Sequence, residues 1–196
     1  MKKLLLLASV LLASSTQAHS CVENWLVVGQ SNAGNIVKFG GLQGATTAKG
    51  CTVRVFTSIK YGTPIERFMT SEYLYKNTVR YIKSKQAKID RIIFWQGEAN
   101  TYKHDSALSW SSNAAYLIGS YVAEVGASND IPVTVFALND IDHGSDRKYW
   151  RFIRQNQFAM QHGNITVVDS GKYQLKADNV HFEESAYVAM VGDLLK

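Results

Sequence analysis

Ser31, Asp178 and His181 are the residues whose types could together break an acyl bond. A serine hydroxyl is a weak nucleophile until a base takes its proton. His181 suits that task, because imidazole exchanges protons near neutral pH. Asp178 precedes it by three residues, close enough on one turn to orient the ring and stabilise its cation. Acyl transfer also needs donors for the negative oxygen that develops on the attacked carbonyl. The backbone N–H groups of Ser31 and Gly62 and the side-chain amide of Gln96 are candidates. Taken singly, each residue has a bland reading. A Gly-x-Ser at a strand end serves as a plain turn, Asp178 as a turn or capping residue, and Glu98 as a helix cap. What raises them together is that each follows a predicted strand.

Those strands are five short Val/Ile-rich runs at 24–29, 52–57, 89–95, 132–138 and 164–169. Their nearly continuous hydrophobicity is that of strands covered on both faces. Helical spacing appears between them, as Tyr75, Val79, Ile82 and as Leu117, Tyr121, Val125. A third helix is read over 147–161, and Tyr187, Met190, Val191 and Leu194 form an apolar stripe on a last one. The alternation predicts an α/β domain, a three-layer α/β/α sandwich on a mostly parallel sheet. Ligands of such sheets bind beyond the carboxyl ends of the strands. After the strands come Gly29-Gln30-Ser31-Asn32, Gly62-Thr63-Pro64-Ile65-Glu66, Trp95-Gln96-Gly97-Glu98, Asn139-Asp140-Ile141-Asp142-His143 and Asp178-Asn179-Val180-His181. The spacing of Gly29 and Gly34 excludes a Gly-x-Gly-x-x-Gly dinucleotide site.

Four of these blocks resemble the blocks of the SGNH hydrolase superfamily, in the family's order and spanning Gly29 to His181. The closer resemblance is to its sialate O-acetylesterase-like carbohydrate esterase branch, in which Gly-Gln-Ser-Asn stands at the nucleophile and Gln-Gly-Glu at the third block. The resemblance implies a flavodoxin-like five-stranded parallel sheet of order 2-1-3-4-5. It implies Ser31 as nucleophile, His181 as base and Asp178 as its partner, with Ser31, Gly62 and Gln96 forming the oxyanion hole. Glu98 would hold neighbouring loops or assist the histidine, Asn32 would support the site, and Arg154 with Gln157 would be structural. The implied activity is removal of O-acetyl groups from an acetylated carbohydrate, or from another small ester, without metal or organic cofactor. Two alternatives remain: a general short-chain or lipase-like esterase, and a non-catalytic carbohydrate-binding or interaction domain on the same scaffold. The chain is short for this branch, so the sialate specificity does not carry over with the fold. Asp140, Asp142 and His143 match no motif and read as a polar exposed loop.

Composition sets the frame. Forty-six per cent hydrophobic residues and 19% charged ones describe a globular protein. Lys2 and Lys3 precede a short apolar run, and Thr16-Gln17-Ala18 suits a signal peptidase, so residues 1–18 read as a signal peptide and 19–196 as one catalytic domain. Losing the two lysines would lower the formal charge from +5 to +3, spread too thinly to suggest a nucleic-acid partner. No other run is long and apolar enough for a membrane span. Export, to the periplasm or the medium, would expose Cys21 and Cys51 to oxidising conditions. Each precedes a predicted strand, so neighbouring parallel strands would bring them together as a disulfide. The rival reading, acylation of Cys21, is opposed by His19 in a poor lipobox.

Overall fold

The computed structural model describes residues 21–196; the expected signal peptide, residues 1–18, lies outside them. Five strands build one sheet: β1 (Val22–Gly29), β2 (Thr52–Ile59), β3 (Arg91–Trp95), β4 (Val133–Ala137) and β5 (Ile165–Asp169). All pairings are parallel, in the order β2-β1-β3-β4-β5. This is the expected three-layer α/β/α sandwich with its strand order 2-1-3-4-5. Five helices cover the sheet: α1 (Ser31–Phe39), α2 (Tyr73–Ser84), α3 (His104–Val125), α4 (Trp150–Ala159) and α5 (Glu184–Leu194).

The pleat of β1 shows how the layers form. Trp25 and Val27 point to one face and pack with Ala33 and Ile36 of α1 and Tyr187, Met190 and Val191 of α5. Leu26 and Val28 point to the other, against Val79 and Ile82 of α2, Trp110, Leu117 and Tyr121 of α3 and Ile153 of α4. All four β1 side chains are buried, so each contributes on the order of 1.5–3 kcal/mol of hydrophobic stabilisation. The alternation leaves neither face of the central strand wet.

Register also explains the disulfide. Val22 lies opposite Thr52, so the preceding residues Cys21 and Cys51 meet with Cα atoms 4.7 Å apart and are bonded. The bridge closes a 30-residue separation, worth about 3–4 kcal/mol by loop-closure entropy.

Strand β1 begins two residues earlier and β2 ends two residues later than the sequence reading, and three further elements start two or more residues from where it puts them. The expected strand at 89–95 begins at Arg91, because the amide of Ile89 donates to Val125 and its carbonyl accepts from Ala127. Helix α3 starts at His104, well before Leu117, since its first buried positions are Ala107, Trp110 and Ala114, two of them too small to mark an apolar stripe. Helix α4 starts at Trp150 rather than 147. Among the described residues no helix is long and apolar enough to cross a membrane.

Candidate active site

The turn that carries Ser31 is set by backbone contact. Gly29, the last residue of β1, has φ +150°, and a Cβ there would stand 1.8 Å from the Trp95 carbonyl oxygen. Only glycine lets β1 end this close to β3. The chain turns at Gln30, whose amide donates to that carbonyl at 3.2 Å, and α1 begins on Ser31 itself. Behind Ser31 lies a buried polar network. The Glu98 carboxylate accepts from Gln30 Nε2 at 2.9 Å and from Asn32 Nδ2 at 3.0 Å. Asn32 also donates to the Val180 carbonyl at 3.0 Å and accepts from the Tyr187 hydroxyl at 2.7 Å. Burial pushes the Glu98 carboxyl above the usual range, with the Asn32 hydrogen bond and the charges of Arg147 and His181 opposing. Glu98 thus holds the turn that carries Ser31 and makes no hydrogen bond to His181.

The histidine turn is built differently. His181 Nε2 lies 2.8 Å from Ser31 Oγ, and His181 Nδ1 lies 2.6 Å from Asp178 Oδ2. The other oxygen, Oδ1, accepts from the backbone amides of Val180 and His181, each at 2.9 Å. The carboxylate is therefore fixed within its own turn before it meets the ring. Burial works against its charge, but the hydrogen bonds from the His181 ring and the two amides outweigh it and bring Asp178 down to about 2. Asn179, at φ +57°, lets the turn close, and its carbonyl accepts from Asn139 Nδ2 at 2.9 Å. The structure thus joins Ser31, His181 and Asp178 in one hydrogen-bonded line.

Gly62 sits on the exposed loop after β2 with φ +58°, and no atom would obstruct a Cβ there, so its conformation rather than space calls for glycine. The loop is tied to the Ser31 turn by Lys60, whose amide donates to the Gly29 carbonyl at 3.1 Å, and by Tyr61, whose ring covers Gly34 of α1. Among the described residues neither the Ser31 nor the Gly62 backbone N–H takes part in a hydrogen bond. Gln96 departs from the expectation. It is fully buried, and its amide nitrogen donates to Asn100 Oδ1 at 2.9 Å and, at a longer 3.3 Å, to the Thr63 carbonyl. Its oxygen is held by Trp110 Nε1 at 2.6 Å. Both amide hydrogens are spoken for, so Gln96 anchors the 62–66 loop from beneath and presents no free donor to the surface.

Sequence reasoning missed Asn100, which accepts from the Ile65 amide at 3.0 Å and donates to Ser106 Oγ at 2.7 Å. It missed Gln30 as a donor, and it read Tyr187 only as apolar stripe. A buried tyrosine needs a partner for its hydroxyl, which was the available signal for Tyr187. The 140–143 loop is held to α4: Arg154 pairs with both oxygens of Asp169 at 2.8 and 2.9 Å and reaches Asp140 at 3.6 Å. Asp142 accepts from the Gly144 amide at 2.8 Å. The His143 ring lies 4.1 Å from that of Trp150, and burial lowers its pKa below the ordinary histidine value. Gln157 joins the Leu138 amide to the Gln96 carbonyl at 2.7 and 3.0 Å.

Residues 46–196 match the carbohydrate esterase family of sialic acid-specific acetylesterases. The chain belongs to that family. The matched stretch contains His181 and Asp178 but not Ser31, which the fold, through β1, brings to them. Among solved structures the chain is similar to a protein from Arabidopsis thaliana (21% identity, 74% of this chain and 58% of that one, TM-score 0.62). It is also similar to a carbohydrate acetylesterase from Xanthomonas citri (14%, 88% and 54%, TM-score 0.67) and to NanS (13%, 89% and 95%, TM-score 0.62). At these identities the likeness is one of fold. The chain spans a little over half the length of the first two. Comparison with curated protein sequences found no match.

Proposed function

We propose that this family member is an exported serine esterase that removes O-acetyl groups from an acetylated carbohydrate. The observation that carries the reading is the unbroken line from Asp178 through His181 to Ser31 at the carboxyl end of the sheet. His181 Nε2 takes the Ser31 proton as Oγ attacks the acetyl carbonyl. The oxygen that becomes negative is held by the Ser31 and Gly62 amides, aided by the positive end of α1. Gln96 acts one step removed, by fixing the loop that carries Gly62. The intermediate collapses as His181 returns the proton to the sugar oxygen, and the deacetylated sugar leaves. A water molecule then gives its proton to His181 and attacks the acetyl-serine, releasing acetate and restoring Ser31. Every group these steps require is a protein group or water. The Cys21–Cys51 bridge and the N-terminal pattern support export, since disulfides persist outside the reducing cytosol.

A chain-length series of p-nitrophenyl esters, run beside acetate release from acetylated saccharides, tests the substrate class. The reading expects acetate release from the saccharides and a steep loss of turnover beyond the acetyl ester. Octanoyl esters turned over as well as acetyl esters would contradict it in favour of a lipid-directed enzyme.

A further inference from the structure

Strand β1, which delivers Ser31, lies between β2 and β3 in the sheet. The stretches that follow β2 and β3 therefore flank the Ser31 turn. A cavity of about 480 Å³ lies between them, lined by Pro64 and Glu66 after β2 and by Lys103 and the first turns of α3 at His104, Asp105, Ser106 and Ser109. Pro64 stands two residues beyond Gly62, so the cavity shares its wall with the proposed oxyanion loop. Its polar wall is built rather than incidental. Glu66 Oε1 accepts from Ser106 Oγ at 2.8 Å, and both Glu66 oxygens accept from Asn100 Nδ2, at 3.3 and 3.2 Å. Asn100 is the residue that holds Gln96.

The lining has a definite chemistry. Two carboxylates, Glu66 and Asp105, stand against one ammonium, Lys103. Carboxylates accept hydrogen bonds from hydroxyl groups and oppose a second anion. Hydroxyls of Ser106 and Ser109 and the exposed imidazole of His104, hydrogen-bonded to Asp105 at 3.1 Å, add further polar partners, and Pro64 offers an apolar surface to a ring face. Two other cations are engaged elsewhere: Arg67, next to Glu66 in the chain, pairs with Glu72 at 3.8 Å, and Arg147 donates to the Glu98 carbonyl at 3.3 Å and lies over the rings of Tyr102 and Trp150, at 4.8 and 5.3 Å.

We propose that the cavity between Pro64, Glu66 and the 103–109 segment is the subsite for the sugar, and that it takes a neutral polyhydroxylated sugar in preference to an acidic one. The inference rests on the esterase reading above and adds a direction of specificity to it. The sugar donates its hydroxyls to Glu66 and leans on Pro64, while its acetyl group reaches Ser31. An acidic sugar would bring its carboxylate against Glu66 and Asp105.

The test compares an O-acetylated neutral methyl glycoside with O-acetylated sialic acid at low salt, with p-nitrophenyl acetate as a substrate that has no sugar. The expected result is a kcat/KM at least fivefold higher for the neutral sugar, narrowing as salt is raised. Glu66→Gln should bring the ratio of the two sugars towards one; a ratio cancels any loss common to both substrates. His104→Ala, at an exposed position, should raise KM for the neutral sugar acetate at least threefold more than KM for p-nitrophenyl acetate. Equal or reversed preference between the sugars overturns the inference. So does a ratio that neither variant moves, or turnover of p-nitrophenyl acetate without turnover of either sugar. Those three results leave the esterase reading standing; failure of the wild-type protein on p-nitrophenyl acetate breaks that reading and this inference together.

Discussion

The two turns that meet at the site are held by opposite means. The Ser31 turn is buried and welded to its neighbours, through Gln30, Asn32, Glu98 and Tyr187, by contacts between residues far apart in sequence. The histidine turn is half-exposed and mostly self-contained, with Asp178 bonded to amides two and three residues on. Where they touch, Asn32 donates to the Val180 carbonyl, and Asn139 steadies the outer turn through Asn179. The contrast teaches that only one partner need be rigid by burial. The sheet and its polar network fix Ser31, and a local turn then carries the base to it.

The contrast predicts unequal damage. Gly29→Ala should be the most harmful change on the nucleophile side, because its Cβ would meet the Trp95 carbonyl oxygen at 1.8 Å. We expect a loss of more than about 4 kcal/mol or failure to fold, read by urea denaturation. Glu98→Ala strips two buried amides of their acceptor and should cost on the order of 3 kcal/mol and most of the activity. If that variant unfolds with the wild-type midpoint, the network is not what holds the turn. Tyr187→Phe keeps the packing but leaves Asn32 Oδ1 without its donor, for a loss of about 1–2 kcal/mol and a smaller drop in kcat.

On the histidine side the expected effect is the smallest and depends on pH. Asp178 titrates at about 2 when folded, against roughly 3.9 in an unfolded chain. Its charged form is the stabilised one, so the contribution is complete above the unfolded value and is lost as pH falls from there through the folded one. The side chain is half-exposed, so solvent screening keeps the contribution small. Thermal melts between pH 2 and 6 should show the wild type losing stability with acid more steeply than Asp178→Asn. Parallel curves would mean that the His181 pairing adds nothing to folding.

The same contrast explains what was legible beforehand. The strands, the disulfide partners and the residues of the histidine turn are readable because they depend on runs, neighbours in register and spacing of three; the strand order follows from the family resemblance alone. Gln30, Asn100 and Tyr187 are not, because each is defined by a partner brought close only by folding; Tyr187 and Asn32 are 155 positions apart. Gln96 shows the limit from the other side. Its type and place suit an oxyanion donor, and only the positions of Asn100, Thr63 and Trp110 reveal that its amide is engaged.

The central claim is that Ser31, activated by His181, is the nucleophile. Hydrolysis of p-nitrophenyl acetate by the purified protein and by Ser31→Ala, with matching thermal melts, tests it most directly. The account predicts turnover by the wild type and near-complete loss in a variant that remains folded. Undiminished turnover by a folded Ser31→Ala protein would contradict it.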